Sequence, residues 1–502
     1  MKRKFFKISA CALALSLVFS ACAPGAGGRD GVAPAAPSGD VDRPVITITS
    51  IFFSAEVPDH PYLHSSLLDI TGYEIDVNWI PSTAFDDVFN TMLAADSLSM
   101  INTVPSVRTR PFINAISDGL IVTLDDYVGL PQFRYFHYMN EARWNNVRVY
   151  QGRISGIPRG RAGVRQGIVY RQDWAEEMGI YDQPTTTAQV EEMIRNFAAR
   201  PETSFGIVGG AGTWYPEGVH YLAVYYGAPF GWGFDSNNNF THMWLTDEFT
   251  LALERWAQWF DEGLLNRNFV EINSEDARRF LNTEEAGLIF VFTDDIANRW
   301  DDLFIHNPDA RLWYAMQLNG RTFSTPGFAG VLAVGRNAVG DSDGLMHALT
   351  FLDALGSPEW QTICLVGLED WTYIIEDGFA TQTAEQSALH QSHSGQWAQI
   401  NWGQFIIMPH ISTRTIPALE AMNAERLLYL DTAIMNLATP FISETEIMVG
   451  ATDLDPIRFD AINRYIMGAI TREELYLARE RWLAAGGQAV LEEIYEQYRA
   501  SR

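Results

Sequence analysis

The chain has 502 residues, 47% hydrophobic and 19% charged, an ordinary globular balance in a length that usually divides into two or more folding units. Its 62 Asp and Glu against 35 Lys and Arg give a formal charge of -27, which argues against nucleic acid and against electrostatic docking on anionic lipid. Aromatics reach 13%, with 15 Trp, so large buried surfaces, stacking sites or both are expected.

The first residues, "MKRKFFK", are basic, and "ISACALALSLVFS" is an apolar stretch of thirteen residues, short for a bilayer span and suited to a secretory leader. Ser20 and Ala21 then precede Cys22, which resembles the lipobox of bacterial lipoproteins, with Phe19 where leucine is usual. That resemblance implies removal of residues 1–21, lipidation of Cys22 as the new N-terminus, and attachment to the outer face of the cell membrane by acyl chains. Loss of Lys2, Arg3, Lys4 and Lys7 leaves 31 basic against 62 acidic residues, and arginine as the only permanent cation. Residues 23–44, "APGAGGRDGVAPAAPSGDVDRP", read as a flexible tether that lifts a folded body off the membrane.

From residue 45 the pattern is α/β. "VITITSIFF" (45–53) alternates β-branched residues and predicts a first strand. "EIDVNWI" and "GLIVTLDDYV" predict short strand and turn elements, and Phe85, Val88, Phe89 and Met92 have helical spacing. "GRISGIPRGRAGVRQGIVYRQDW" (152–174) gathers Arg153, Arg159, Arg161, Arg165 and Arg171 with Asp173 as its only acid. Beyond it the chain turns helical: an Asp-capped "DWAEEMGI", a Thr-capped "TTTAQVEEMIRNFAA", and "TDEFTLALERWAQWFDEGLL" with Leu253, Trp256, Ala257 and Phe260 on one face. Trp256 and Trp259 on that helix are expected in packing or at the surface rather than against ligand. "SEDARRFLNTEEAGLIFVF" joins a helix to a strand, "GFAGVLAVG" is another strand, and "GLMHALTFLDALGSPEW" a helix stopped by Ser-Pro. Cys364, in an apolar helical pattern, reads as a buried inert thiol, and the chain is helical from 455 to its end.

Four segments in order then resemble the extracellular solute-binding lipoproteins of bacterial ABC importers, in the oligosaccharide or aldouronate-type branch. They are the arginine-rich stretch continued as "AEEMGI", "WFDEGLLNRNF…FLNTEEAGLIF", "ALTFLDALGSPEWQTICLVGLEDWTYIIEDG", and the C-terminal "INRYIMGAITREELYLARERWLAAGGQAVLEEIYEQY". The resemblance implies a two-lobed periplasmic-binding-protein-like fold of type II, with crossover strands between the lobes and a helical C-terminus. Lobe 1 would take 45–161 plus about 329–375, and lobe 2 would take 162–328 plus about 376–502. It also implies a monomer that catches a saccharide between hinged lobes and delivers it to membrane permease subunits, with no cofactor and no metal. Many relatives carry a polar "DPDGNGKKDT"-like loop where this chain has "FAARPETSFGI", without the acidic ligand set, and "DSNNNF" (235–240) lacks the glycine and the twelfth-position acid of a calcium loop.

The first crossover is expected close to Arg161–Ile168, which puts the arginines at the lobe junction. Arg159 and Arg161 there would donate to sugar hydroxyls or to a uronate carboxylate, while Arg153, Arg165 and Arg171 are expected to pair with acids. Sugars pair an apolar C–H face with a rim of hydroxyls, so stacked aromatics beside polar groups are the expected walls. Trp214 and Tyr215 in "GGAGTWYPEG", Trp232 (with Phe230) in "APFGWGFD", Trp371 in "GLEDWTYI" and Trp402 in "NWGQF" fit that description. Glu56, with Asp59, follows the first strand, and Asp294, with Asp295, follows "GLIFVFT", at the strand ends where such lobes meet ligand. The alternatives are an oligopeptide or other polar solute, a surface adhesin, or a secreted glycoside hydrolase. There is no H-E-x-x-H, no carboxylate pair stands out among 62 acids, and His390 and His393 in "HQSH" are a weak metal pair.

Overall fold

The structure, a computed structural model, describes residues 43–501 apart from 140, 162, 211–216, 273, 298–299, 377–378, 403–415 and 430–431. The leader, Cys22 and the tether up to residue 42 therefore lie outside the described residues. The body begins where Arg43 donates to Gly72 O (3.0 Å) and lies over the Tyr73 ring.

Nine strands build two sheets: β1 (Ile46–Phe52), β2 (Ile75–Pro81), β3 (Ile101–Val104), β4 (Ile157–Gly160), β5 (Gln166–Arg171), β6 (Ile207–Val208), β7 (Leu288–Phe292), β8 (Leu312–Ala315) and β9 (Phe328–Val334). The first sheet has the order β2-β1-β3-β9-β4, and the second β8-β5-β7-β6. β1 pairs in parallel with β2 (Ile46 opposite Ile75) and with β3 (Ile48 opposite Ile101). Its alternating sequence is nonetheless buried at nearly every position, as in a central strand covered on both faces. β9 is the returning chain, antiparallel to both β3 and β4. "GLIVTLDDYV", expected to contribute a strand, makes only the isolated bridge Ile121–Gly335 before turning.

In the second sheet the two-residue period separates two cores. Ile168, Tyr170, Leu288 and Phe290 face one, with Trp256 and Trp259, while Val169, Ile289 and Val291 face the other, with Ala418, Leu419 and Met422. The helix Asp247–Asp261 buries Trp256, on the face its spacing marks, and Trp259 as well. The helix Thr187–Ala198 starts on a reciprocal capping box between Thr186 and Gln189.

The first core takes its side chains from residues 46–157 and 331–364, and also from Trp397, Ile400 and Trp402. Trp397, Ile400 and Trp402 thus fill the first core although they lie beyond the expected boundary near residue 375, while Val366, before it, lies in a lobe 2 core. The helix Ile416–Tyr429 and the C-terminal helices return to lobe 2. Cys364 is buried in the first core and burial pushes its thiol up.

Beside the crossover, β9 carries an irregularity between Phe328 and Val331, with Gly330 at φ +80°. A Cβ there would run into the carbonyls of Val104 and Pro105. Gly330→Ala should destabilise the protein by at least about 1–3 kcal/mol from backbone strain alone, read as a fall in urea midpoint at unchanged m-value.

Candidate functional site

The chain leaves the first sheet at Gly160 and enters the second at Gln166. It is held against the returning segment by Arg161 N to Gly327 O and Thr325 N to Gly163 O, both 2.9 Å. Residues 394–402 run along the carboxyl edge of the first sheet. Gln396 Oε1 accepts from Phe53 N (2.9 Å) beyond β1, Gln399 O accepts from Thr103 Oγ1 (3.1 Å) on β3, and Trp402 O accepts from Gly160 N (3.3 Å) at the end of β4. This is the edge at which open α/β sheets meet their ligands.

The arginines gather here. Arg159 is buried, donating from Nη1 to Ala329 O (2.7 Å) and from Nη2 to Gln399 Oε1. Arg161 Nη1 donates to Gly160 O (2.8 Å). Arg165 grips Asp294 with two nitrogens, Nε to Oδ1 (3.0 Å) and Nη2 to Oδ2 (2.8 Å), and lies over the Phe292 ring. Arg426, from the helix Ile416–Tyr429, closes on the same carboxylate (3.2 Å) and donates to Val164 O (2.8 Å). Arg278 pairs with Asp295, and Arg143 Nη2 reaches Arg161 O (3.4 Å). Arg143, Arg159, Arg161, Arg165, Arg278 and Arg426 thus gather near Asp294 and Asp295.

Burial at the junction shows in the proton affinities. Burial and the neighbouring charge of Arg161 hold Arg159 well below the arginine range, and burial and then Arg165 pull Arg161 down to about 10 against the attraction of Asp294. Burial pushes Asp294 up, but Arg165 and Arg426 outweigh it, and its carboxyl stays below the usual range. A carboxylate is the planar partner that matches a guanidinium fork, as Arg165 and Asp294 show.

At the carboxyl end of β1 lies an aromatic shelf. Trp371 is half-buried, with the His60 ring stacked on it at 4.3 Å, Tyr62 edge-on at 5.5 Å and His393 at 5.9 Å. Phe53 (61% exposed) and Tyr62 (56% exposed) stand open beside it, and Glu56 is exposed in the same loop. Burial and the facing His393 lower the His60 imidazole, with Asp59 opposing. His390 turns away from its sequence neighbour: it is buried against Ser394 Oγ (2.7 Å) and burial brings it to about 4.

Two expected stacking residues are corrected. Trp232 lies in the lobe 2 core against Phe240, His242 and Trp482, because the glycines around it admit Pro229 and Asn436 rather than open space. Trp402 lies in the lobe 1 core, its Nε1 donating to Leu352 O and its ring filling the space over Gly356. Trp214 and Tyr215 lie outside the described residues. Arg153, Arg165 and Arg171 do pair with acids, at Asp125, Asp294, and Asp173 with Glu284. Sequence reasoning missed Phe53, His60, Tyr62, Gln396, Gln399 and Arg426. Phe53 reads as the end of a strand, and nothing local marks Arg426 as the partner of an aspartate in a distant segment.

Two α/β lobes joined by paired crossovers, with polar and aromatic groups on the facing edges, define a solute-binding protein. The chain belongs to the bacterial extracellular solute-binding protein family, whose model matches residues 69–362. It is 25% identical over 479 residues to lipoprotein LipO of Bacillus subtilis, covering 92% of this chain and 93% of that protein. It is 23% identical over 454 residues to the polygalacturonan/rhamnogalacturonan-binding protein YtcQ of the same organism, covering 86% and 87%. Among solved structures, the N-glycan transport solute-binding protein NgtS of Streptococcus pneumoniae superposes with a TM-score of 0.67 at 14% identity, over 91% of this chain and 99% of that one. Among the described residues, no helix is long and apolar enough to cross a membrane.

Asp294→Ala should cost roughly 3–5 kcal/mol in urea unfolding, because Arg165 and Arg426 lose their buried partner. Asp294 titrates lower in the folded than in the unfolded state. Its contribution should therefore be complete above about pH 4 and fade as pH falls through the folded value, so wild type and variant should converge in acid. Trp232→Ala and Trp402→Ala should each cost about 3–5 kcal/mol, whereas half-buried Trp371→Ala should cost clearly less in the same measurement.

Proposed function

We propose that this solute-binding protein captures an oligosaccharide, and specifically one that carries carboxylates, for uptake by an ABC permease. The observation that carries the reading is the placement of Arg159, Arg161 and Arg165 at the crossover between the lobes, with Asp294 and Arg426 beside them, in a protein whose overall charge is -27. A guanidinium fork at that place matches a planar carboxylate on a ligand. The likeness to YtcQ, a polygalacturonan/rhamnogalacturonan-binding protein, supports the same chemistry.

In this reading Arg159 and Arg161 face the uronate carboxylates. Asp294 positions Arg165 and accepts from sugar hydroxyls, and Trp371 with Phe53 and Tyr62 offers flat apolar area to the C–H faces. Glu56 borders the shelf, and Trp214 and Tyr215 are assigned to the opposite wall from sequence alone. No bond of the ligand is made or broken. Binding energy shared between the lobes shifts an open–closed equilibrium, and the permease reads the closed shape. Cys22, lipidated, would hold the receptor at the outer membrane face, where uptake begins.

The test is a thermal-shift and calorimetric screen against galacturonate oligomers and neutral oligosaccharides of equal length. Galacturonates at a hundred times their dissociation constant should add about 2.7 kcal/mol. Arg161→Ala should weaken their binding by roughly a factor of ten or more, with a marked salt dependence in the wild type. Binding of the neutral series alone would overturn the acidic assignment, and binding of neither would overturn the carbohydrate reading.

A further inference from the structure

Among the described residues, besides the crossovers and the packing of Val366 into a lobe 2 core, the lobes touch through an arm of lobe 2. Residues 438–446 leave the lobe 2 core at Ala438 and are carried by the C-terminal helix Gln488–Ala500. Gln497 bonds both Ile442 N (3.2 Å) and Ile442 O (2.6 Å), and Glu493 accepts from Thr445 N (3.2 Å) and Thr445 Oγ1 (2.5 Å). So held, the arm presents the Ile442 side chain to the lobe 1 core. It is met by two arginines of lobe 1 that follow the carboxyl end of β3. Arg108 Nη2 donates to Ala438 O (2.7 Å), and Arg110 Nη1 pairs with Glu444 (2.9 Å). Burial lowers Arg108 while Glu446 on the arm counters it. Burial raises Glu446, Arg108 and then Arg458 lower it, and Asp455 and Glu493 raise it.

The two contacts differ in kind. Arg108 gives up water for a carbonyl and the field of Glu446, an interaction that salt barely screens. Arg110–Glu444 is solvated, with side chains 43% and 60% exposed, so salt weakens it and its worth is at most about 1 kcal/mol. Neither contact lies on the crossover strands or on the aromatic shelf. Each joins side chains that would separate if the lobes swung apart.

We propose that Arg108 and Arg110, closing on the 438–446 arm, form a latch that sets how far the empty receptor opens. A latch of this kind fixes the fraction of protein competent to close on solute, and apparent affinity scales with that fraction whatever the solute is. The inference does not rest on the carbohydrate reading.

The test uses the full-length protein without ligand, spin-labelled at Asp69→Cys in lobe 1 and Tyr181→Cys in lobe 2, with interlobe distances read by pulsed electron resonance. Arg110→Glu should raise the ratio of open to closed populations about threefold or more at low salt, the size expected of a solvated pair, and 1 M salt should do the same to the wild type. Arg110→Glu with Glu444→Arg should restore the original distribution, and Arg108→Ala should open the protein further. Unchanged distances in Arg110→Glu and in a folded Arg108→Ala would overturn the latch and make the arm a fixed part of the interface. Should Arg108→Ala fail to fold, the exchange of Arg110 and Glu444 decides alone, since both are exposed.

Discussion

The carboxylate of Asp294 is the point on which the lobe junction turns. It stands just past β7, buried, and takes Arg165 from the first crossover and Arg426 from a helix more than a hundred residues later in the chain. A buried guanidinium without a counter-charge costs several kcal/mol, so the crossover can hold its arginines inside only because this aspartate is there.

Around that point the sheets are rigid and the joints are local. Each lobe has its own apolar core, and the second sheet sorts alternate side chains into two of them. Between lobes, the contacts among the described residues include paired backbone strands, guanidiniums, the 438–446 arm with Ile442 against the first core, and Val366 in a lobe 2 core.

The aromatic inventory shows why composition is an uncertain guide to ligand walls. Tryptophans in glycine-rich loops look available, yet Trp232 and Trp402 are drawn into cores, since a glycine lets a loop fold back as readily as it lets a ring stand clear. The open rings are Phe53 and Tyr62, which sit beside a β-branched strand and a helix start and carry no sign of exposure in their neighbours.

Much of the architecture was legible in the chain. Period-two and helical spacing marked β1, β2, β9 and the helices, and the order of four segments marked a two-lobed binding protein, because periodic burial and local capping are written in neighbouring residues. The arginine cluster was legible as well, together with the three members that pair with acids. What only the tertiary structure decided was partnership across distance: that residues 394–402 cap lobe 1, that Arg426 shares Asp294 with Arg165, that His60 stacks on Trp371, and that two expected stacking tryptophans are core. Local sequence sets backbone preference within a few turns. Which side chain shares a carboxylate, or which face of a ring meets water, is settled by packing between segments tens to hundreds of residues apart.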